Sequence, residues 1–100
     1  MPTFAMTDRF KKDFADLDPT DKDRFEKAVK DKFVPDLATR TGFRLGLRVK
    51  PVHGIPGVFE MTWAPDGRAT FQFGDEVLPG EPHIIWRRGT HDILTRSPGA

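Results

Sequence analysis

The stretch Val58-Phe59-Glu60-Met61-Thr62-Trp63-Ala64-Pro65-Asp66-Gly67-Arg68-Ala69-Thr70-Phe71-Gln72-Phe73 alternates along most of its length. Phe59, Met61 and Trp63 occupy every second position around Glu60 and Thr62, and Ala69, Phe71 and Phe73 do so around Thr70 and Gln72. A period of two is that of a β-strand with one buried face. Pro65-Asp66-Gly67 between the runs is a tight turn, so they form an antiparallel hairpin. Upstream, Leu45, Leu47 and Val49 alternate with Gly46, Arg48 and Lys50. Downstream, His83 to Arg88 puts Ile84 and Trp86 on one face and His83, Ile85 and Arg87 on the other. These four runs predict an antiparallel meander with one apolar face.

The first forty residues follow a different period. Phe4 and Met6 mark a short strand. Phe10, Phe14 and Leu17 recur at i, i+4 and i+7, one face of a helix opened by Thr7 or Asp8. Asp18-Pro19 caps a second helix, whose apolar stripe is Phe25, Ala28, Val29, Phe33 and Leu37, with Pro35 expected to end or kink it. Almost no loop separates the helices, so they form a hairpin. Its stripe and the apolar face of the sheet cover each other most simply in a two-layer α+β domain. Phe14, Phe25, Phe33, Phe59, Phe71 and Trp86 are the expected core.

That packing fixes what stays outside. By parity, the far face of the sheet carries Arg44, Arg48, Lys50 and Glu60. Thr62, Thr70, Gln72, His83 and Arg87 join them from the later strands. The formal net charge is only +1, yet the chain holds two clusters of base without acid, within residues 40–50 and 83–91. One is Arg40, Arg44, Arg48 and Lys50; the other is His83, Arg87, Arg88 and His91. In residues 1–40, nine Lys/Arg and nine Asp/Glu are finely mixed, as on solvated helix faces.

With 100 residues there is room for one domain. The absence of cysteine excludes a disulfide scaffold, a zinc ribbon and a thiol nucleophile together. The three histidines lack close helical spacing, so no metal site is expected. Neither a phosphate-binding glycine loop nor a nucleophile elbow occurs. Apolar runs stop at about three residues, as in Ile84-Ile85-Trp86, and the start Met1-Pro2-Thr3-Phe4 has no basic-then-apolar leader. A soluble cytoplasmic protein without a membrane partner is expected.

The order short strand, helical hairpin, meander resembles the RelE/ParE superfamily of bacterial toxins, the toxin halves of toxin–antitoxin pairs. Arg88-Gly89-Thr90-His91-Asp92-Ile93-Leu94 is similar to the terminal Gly-Ser/Thr-His motif of the YafQ-like ribonucleases. Gly57-Val58-Phe59-Glu60-Met61 resembles the Gly-Leu-Tyr-Glu-Leu-Arg strand of the HigB-like members, with Thr62 where that pattern has arginine. The position after the motif that is often aromatic holds Leu94, and the chain has no tyrosine. The resemblance implies a single RelE-like domain over residues 1–96 with a short tail at 97–100. It also implies cytoplasmic messenger RNA cleavage on the ribosome without metal or cofactor, and neutralisation by a cognate antitoxin.

In that chemistry the 2′-hydroxyl attacks the adjacent phosphate, which requires a base, an acid and cations around the phosphorane. The resemblance makes His91 the acid or base, and histidine titrates near neutral pH. His83 and Glu60 are the candidates for its counterpart. Arg44, Arg48, Lys50 and Arg87 are the candidate phosphate and RNA contacts. Each has a plainer reading. His91 suits an exposed turn, and His83 suits a strand edge. Arg48 and Lys50 suit a strand face guarded against aggregation. Glu60 suits an ion pair with Arg48 or Arg87, and Arg88 should point inward beside Trp86. The alternative function is a non-catalytic member of the same fold acting by protein binding. A sheet-based RNA-binding module ranks last, because parity puts the aromatic residues in the core rather than on the open face.

Overall fold

The computed structural model describes residues 2–39, 42–65 and 67–89. The boundary expected at residue 96 lies outside them. The chain begins with β1 (Thr3–Met6) and α1 (Asp8–Ala15). Thr7 caps α1 by accepting the Phe10 N–H at 3.1 Å, and Asp18 caps α2 (Pro19–Ala28) by accepting the Asp21 N–H at 2.8 Å. Pro19 stands at the first position of α2, where its missing N–H is of no consequence. The second helix does not stop there. It widens into one π turn over Val29–Phe33, in which the Val34 N–H reaches back to the Val29 carbonyl, and resumes as α3 (Val34–Thr39). The widened turn lies just before Pro35, whose ring and missing N–H disfavour a regular turn, so the proline reshapes the helix rather than ending it.

Strands β2 (Lys50–Pro51), β3 (Val58–Ala64), β4 (Gly67–Gly74) and β5 (His83–Arg88) pair antiparallel in sequence order, as expected. The full sheet order is β1-β5-β4-β3-β2, and β1 runs parallel to β5. The sheet is therefore mixed, and the last strand of the meander is interior. Its outer edge is taken by β1.

The helices cover one face. Phe25 and Phe33 each stand 5.2 Å from Trp86, ring to ring, and Phe33 stands 5.1 Å from Phe71. Phe10, Phe25, Phe33, Phe71 and Trp86 are buried, while Phe14 and Phe59 are half-buried at the margin of this cluster. Such ring pairs add about 0.5–1.5 kcal/mol each beyond their burial. Phe73, which alternation puts on the same face as Phe71, is not buried: near the end of β4 it is 49% exposed.

The run Leu45 to Val49 is the main correction. It forms a 3₁₀ turn over Leu45–Leu47, not a strand. Arg48 follows with φ +48°, in the left-handed region, so alternation is lost before Lys50. Leu47 is buried, and Leu45 lies fully in solvent. The period of two seen in the sequence came from one inward residue in a turn with Val49 half-buried beyond it.

Candidate functional site

Alternation holds in β3, β4 and β5, and those strands present their polar residues on the face away from the helices. Lys50 pairs with Glu60, Glu60 with Thr70, and Thr70 with Arg88, beside Arg87. The result is one row across four strands, running Lys50, Glu60, Thr70, Arg87, with Gln72 next to its end. The Lys50 ammonium sits 3.1 Å from a Glu60 carboxylate oxygen. The Arg87 guanidinium donates to the Gln72 side-chain oxygen at 2.8 Å. Glu60 and Thr70 are both buried, which parity alone did not anticipate for an outer face. Among the described residues, the second Glu60 oxygen and the Thr70 hydroxyl have no hydrogen-bond partner.

A β-bulge sets the end of the row. Phe71 pairs with Trp86 and Thr70 with Arg88, so Arg87 is the extra residue. The two adjacent arginines keep to opposite faces, as alternation predicts. Arg87 meets Gln72 on the outer face, and Arg88 lies 3.8 Å from Asp13 on the helix side. The inward course expected of Arg88 is thus observed, with Asp13 as its counter-charge.

Two expected contacts lie elsewhere. Arg44 is on the loop before the 3₁₀ turn, and Asp36 of α3 holds it. The guanidinium makes two bonds of 2.9 Å to that carboxylate, and the Arg44 N–H adds a third. These bonds hold the Asp36 carboxyl below its ordinary range and raise Arg44 above its own. Arg44 is therefore committed to a bidentate pair and is not part of the outer sheet face. Arg48, in its left-handed turn, is exposed and also outside the sheet. His83 does lie on the outer face, where its Nδ1 shares a 2.7 Å hydrogen bond with the Thr3 hydroxyl. It is four residues from Arg87 along β5, about 13 Å at the rise of an extended strand, and it pairs with Gly74 at the far end of β4. His91 lies outside the described residues. Gly89, two residues before it, is buried.

Gln72, on the outer face by parity, takes a role from its 2.8 Å hydrogen bond with Arg87. Asp13 was missed. Its signal was in the sequence: it shares a helical face with Phe10, Phe14 and Leu17, where a carboxylate is out of place.

Among the described residues, no group of three or more His, Cys, Asp or Glu could hold a metal ion. No helix among them is long and apolar enough to cross a membrane.

No family model matches the sequence, and no curated protein matches it. Solved structures do match. A chain of the RelB–RelE antitoxin–toxin complex from Methanococcus jannaschii superposes with TM-score 0.60, covering 96% of this chain and 99% of its own, at 14% identity. The YoeB/ParE toxin from Agrobacterium tumefaciens gives TM-score 0.63, with 89% and 97% coverage and 18% identity. This chain has the RelE/ParE toxin fold. A chain of the DinJ–YafQ complex of E. coli shares it too, with TM-score 0.58, 94% and 97% coverage and 10% identity. At such identities the toxin fold is what is shared.

Proposed function

We propose that this protein is the toxin of a toxin–antitoxin pair, and that it cuts messenger RNA on the ribosome without metal. The observation that carries this reading is the row Lys50, Glu60, Thr70, Arg87, which gathers two cations and a carboxylate just upstream of Gly89-Thr90-His91 on a toxin fold. In the reaction, the 2′-hydroxyl gives its proton to a base and its oxygen attacks the adjacent phosphorus. The bond to the 5′-oxygen breaks, and an acid protonates that oxygen. The products are a 2′,3′-cyclic phosphate and a free 5′-hydroxyl. Glu60 takes the base role, since it shares the row with Lys50 and Arg87 while His83 stands about 13 Å along the strand from Arg87. His91 takes the acid role. Arg87 and Lys50 contact the phosphate, the first by a fork of donors and the second as a point charge.

The cognate antitoxin is the expected protein partner, and the ribosome with its messenger is the expected substrate. Among the described residues β1 is an edge strand, and that edge supports a strand-adding antitoxin segment. Phe4 and Met6 there are 42% and 47% exposed, beside an apolar groove of about 300 Å³ lined by Phe14 and Phe25.

The test is cleavage of messenger on translating ribosomes, with the ends mapped chemically. His91→Ala, Glu60→Gln and Arg87→Ala should each lower the rate, by about 10²–10⁴-fold for a positioned acid or base. A second reading, protein binding without catalysis, is favoured by neutralised cations: Asp36 engages Arg44, Glu60 engages Lys50, and Asp13 faces Arg88. Wild-type protein that arrests growth while leaving messenger intact would establish that second reading.

A further inference from the structure

We infer that Asp13 is a positioning residue: from α1 it fixes the end of β5, so that Arg87 faces the outer side of the sheet and Arg88 the helices. The inference rests on the reading of Arg87 as a phosphate contact. Adjacent arginines on a strand differ in face only by register, and a slip of one residue exchanges them. The bulge at Arg87 sets that register, and an extra residue in a strand needs something to hold it.

The grip comes from both ends of α1. The Thr7 N–H donates to the Trp86 carbonyl at 3.0 Å, and the Thr7 hydroxyl donates to the Arg87 carbonyl at 2.9 Å. Two turns along, one Asp13 oxygen accepts the Gly89 N–H at 3.3 Å and lies 3.8 Å from Arg88 Nε. Its other oxygen accepts from Arg9 at 3.2 Å. Asp13 is 5% exposed on an otherwise apolar stripe, a position where a carboxylate is unfavourable unless its charge is used. The charge is used on Arg88, whose Nε is buried and has no hydrogen-bond partner among the described residues. Gly89 allows the approach. A Cβ there would stand 2.5 Å from the Phe10 ring, so no other residue fits without moving the core. Thr7, Phe10 and Asp13 thus hold Trp86 to Gly89 in one alignment, immediately before Thr90-His91 in the chain.

Two variants separate the interactions. Asp13→Asn keeps an acceptor for the Gly89 N–H and loses the charge facing Arg88; Asp13→Ala loses both. Amide exchange at Gly89 should quicken by at least about tenfold in Asp13→Ala and much less in Asp13→Asn. On translating ribosomes, kcat should fall by about 10–10²-fold in Asp13→Ala with KM within about twofold, and Asp13→Asn should recover part of the loss. If Asp13→Ala does not fold, the pair Asp13→Leu with Arg88→Leu removes both buried charges together, and the exchange measurement is made there. Unchanged exchange at Gly89 in a folded variant overturns the inference. So does a raised KM with kcat intact. Wild-type protein that cleaves no messenger would reject the ribonuclease reading, while the exchange experiment would still decide the role of Asp13.

Discussion

Replacing Phe71 by alanine tests the packing of the two layers most directly. Phe71 is fully buried at the centre of the sheet. Its ring has Phe33 at 5.1 Å, Trp86 at 5.6 Å and Phe59 at 5.7 Å. Each neighbour is anchored, Phe33 by the π turn and the other two by paired strands, so collapse into the gap is restricted. Truncation removes roughly 100 Å³ of side chain, and at ~24 cal/mol per Å³ an uncollapsed cavity costs about 2.4 kcal/mol. The lost transfer energy adds about 2 kcal/mol. The sum, about 4 kcal/mol, is a large part of the roughly 5–15 kcal/mol that holds a domain together. For a chain of this size it lowers the melting temperature by about 15–30 °C. Phe73, two residues along the same strand and half-exposed, is the internal control. It leaves no enclosed cavity, and Phe73→Ala should cost about 1 kcal/mol. Urea denaturation of both variants, read at constant m, gives the two energies. Equal losses, or a Phe71→Ala protein melting within a few degrees of wild type, would refute the assignment of the core.

Two further predictions concern the ion pairs. Lys50→Ala leaves the Glu60 carboxylate buried without its cation and should destabilise by about 1–3 kcal/mol; Lys50→Ala in a Glu60→Gln background should cost much less, and urea curves for the four proteins would expose any lack of coupling. Asp36 is expected to make stability depend on acid: its folded pKa lies below the ordinary 3.8, so its contribution is present above that value and disappears as pH falls through the folded pKa. Melting curves of wild type and Asp36→Asn should therefore differ near neutrality and converge in strong acid, and a constant difference down to about pH 2 would contradict the pairing.

The parts of the fold legible in the sequence are those in which one residue pattern admits one period. Phe59-Met61 and Ala69-Phe71 alternate with polar residues over a definite turn, and both became strands with the expected faces. Leu45-Gly46-Leu47 alternates equally well, but two residues of one hydropathy separated by glycine also fit a tight turn, and tertiary packing of Leu47 decided it. The parallel course of β1 was not legible, because four residues carry a period and no direction. At the site, parity placed Lys50, Glu60, Gln72 and Arg87 on one surface. It also sent Arg87 and Arg88 to opposite faces, but it could not foresee the bulge that leaves Arg87 out of the pairing, since the extra residue arises from pairing between strands. Arg44 was misplaced for the same reason: its partner, Asp36, is eight residues back on a helix, and charge clusters in a sequence do not show which members are already neutralised.

The parallel pairing of β1 with β5 also sets an order of assembly. Thr3 and His83 are hydrogen-bonded across 80 residues of chain, whereas the helical hairpin and the β3–β4 hairpin close over short loops. Local contacts form early, and distant ones wait for loop closure. On a growing chain the wait is set by synthesis: at roughly 5–20 residues per second, 80 residues take about 4–16 s. Until then β1 has no strand to join, Thr7 has no carbonyl of Trp86 or Arg87 to grip, and Asp13 has no Gly89 to hold. The N-terminal segment is made first and docks last. A polypeptide that has not yet emerged as far as β5 has neither its sheet closed nor Arg87 in place, so the outer row exists only once synthesis has passed that strand.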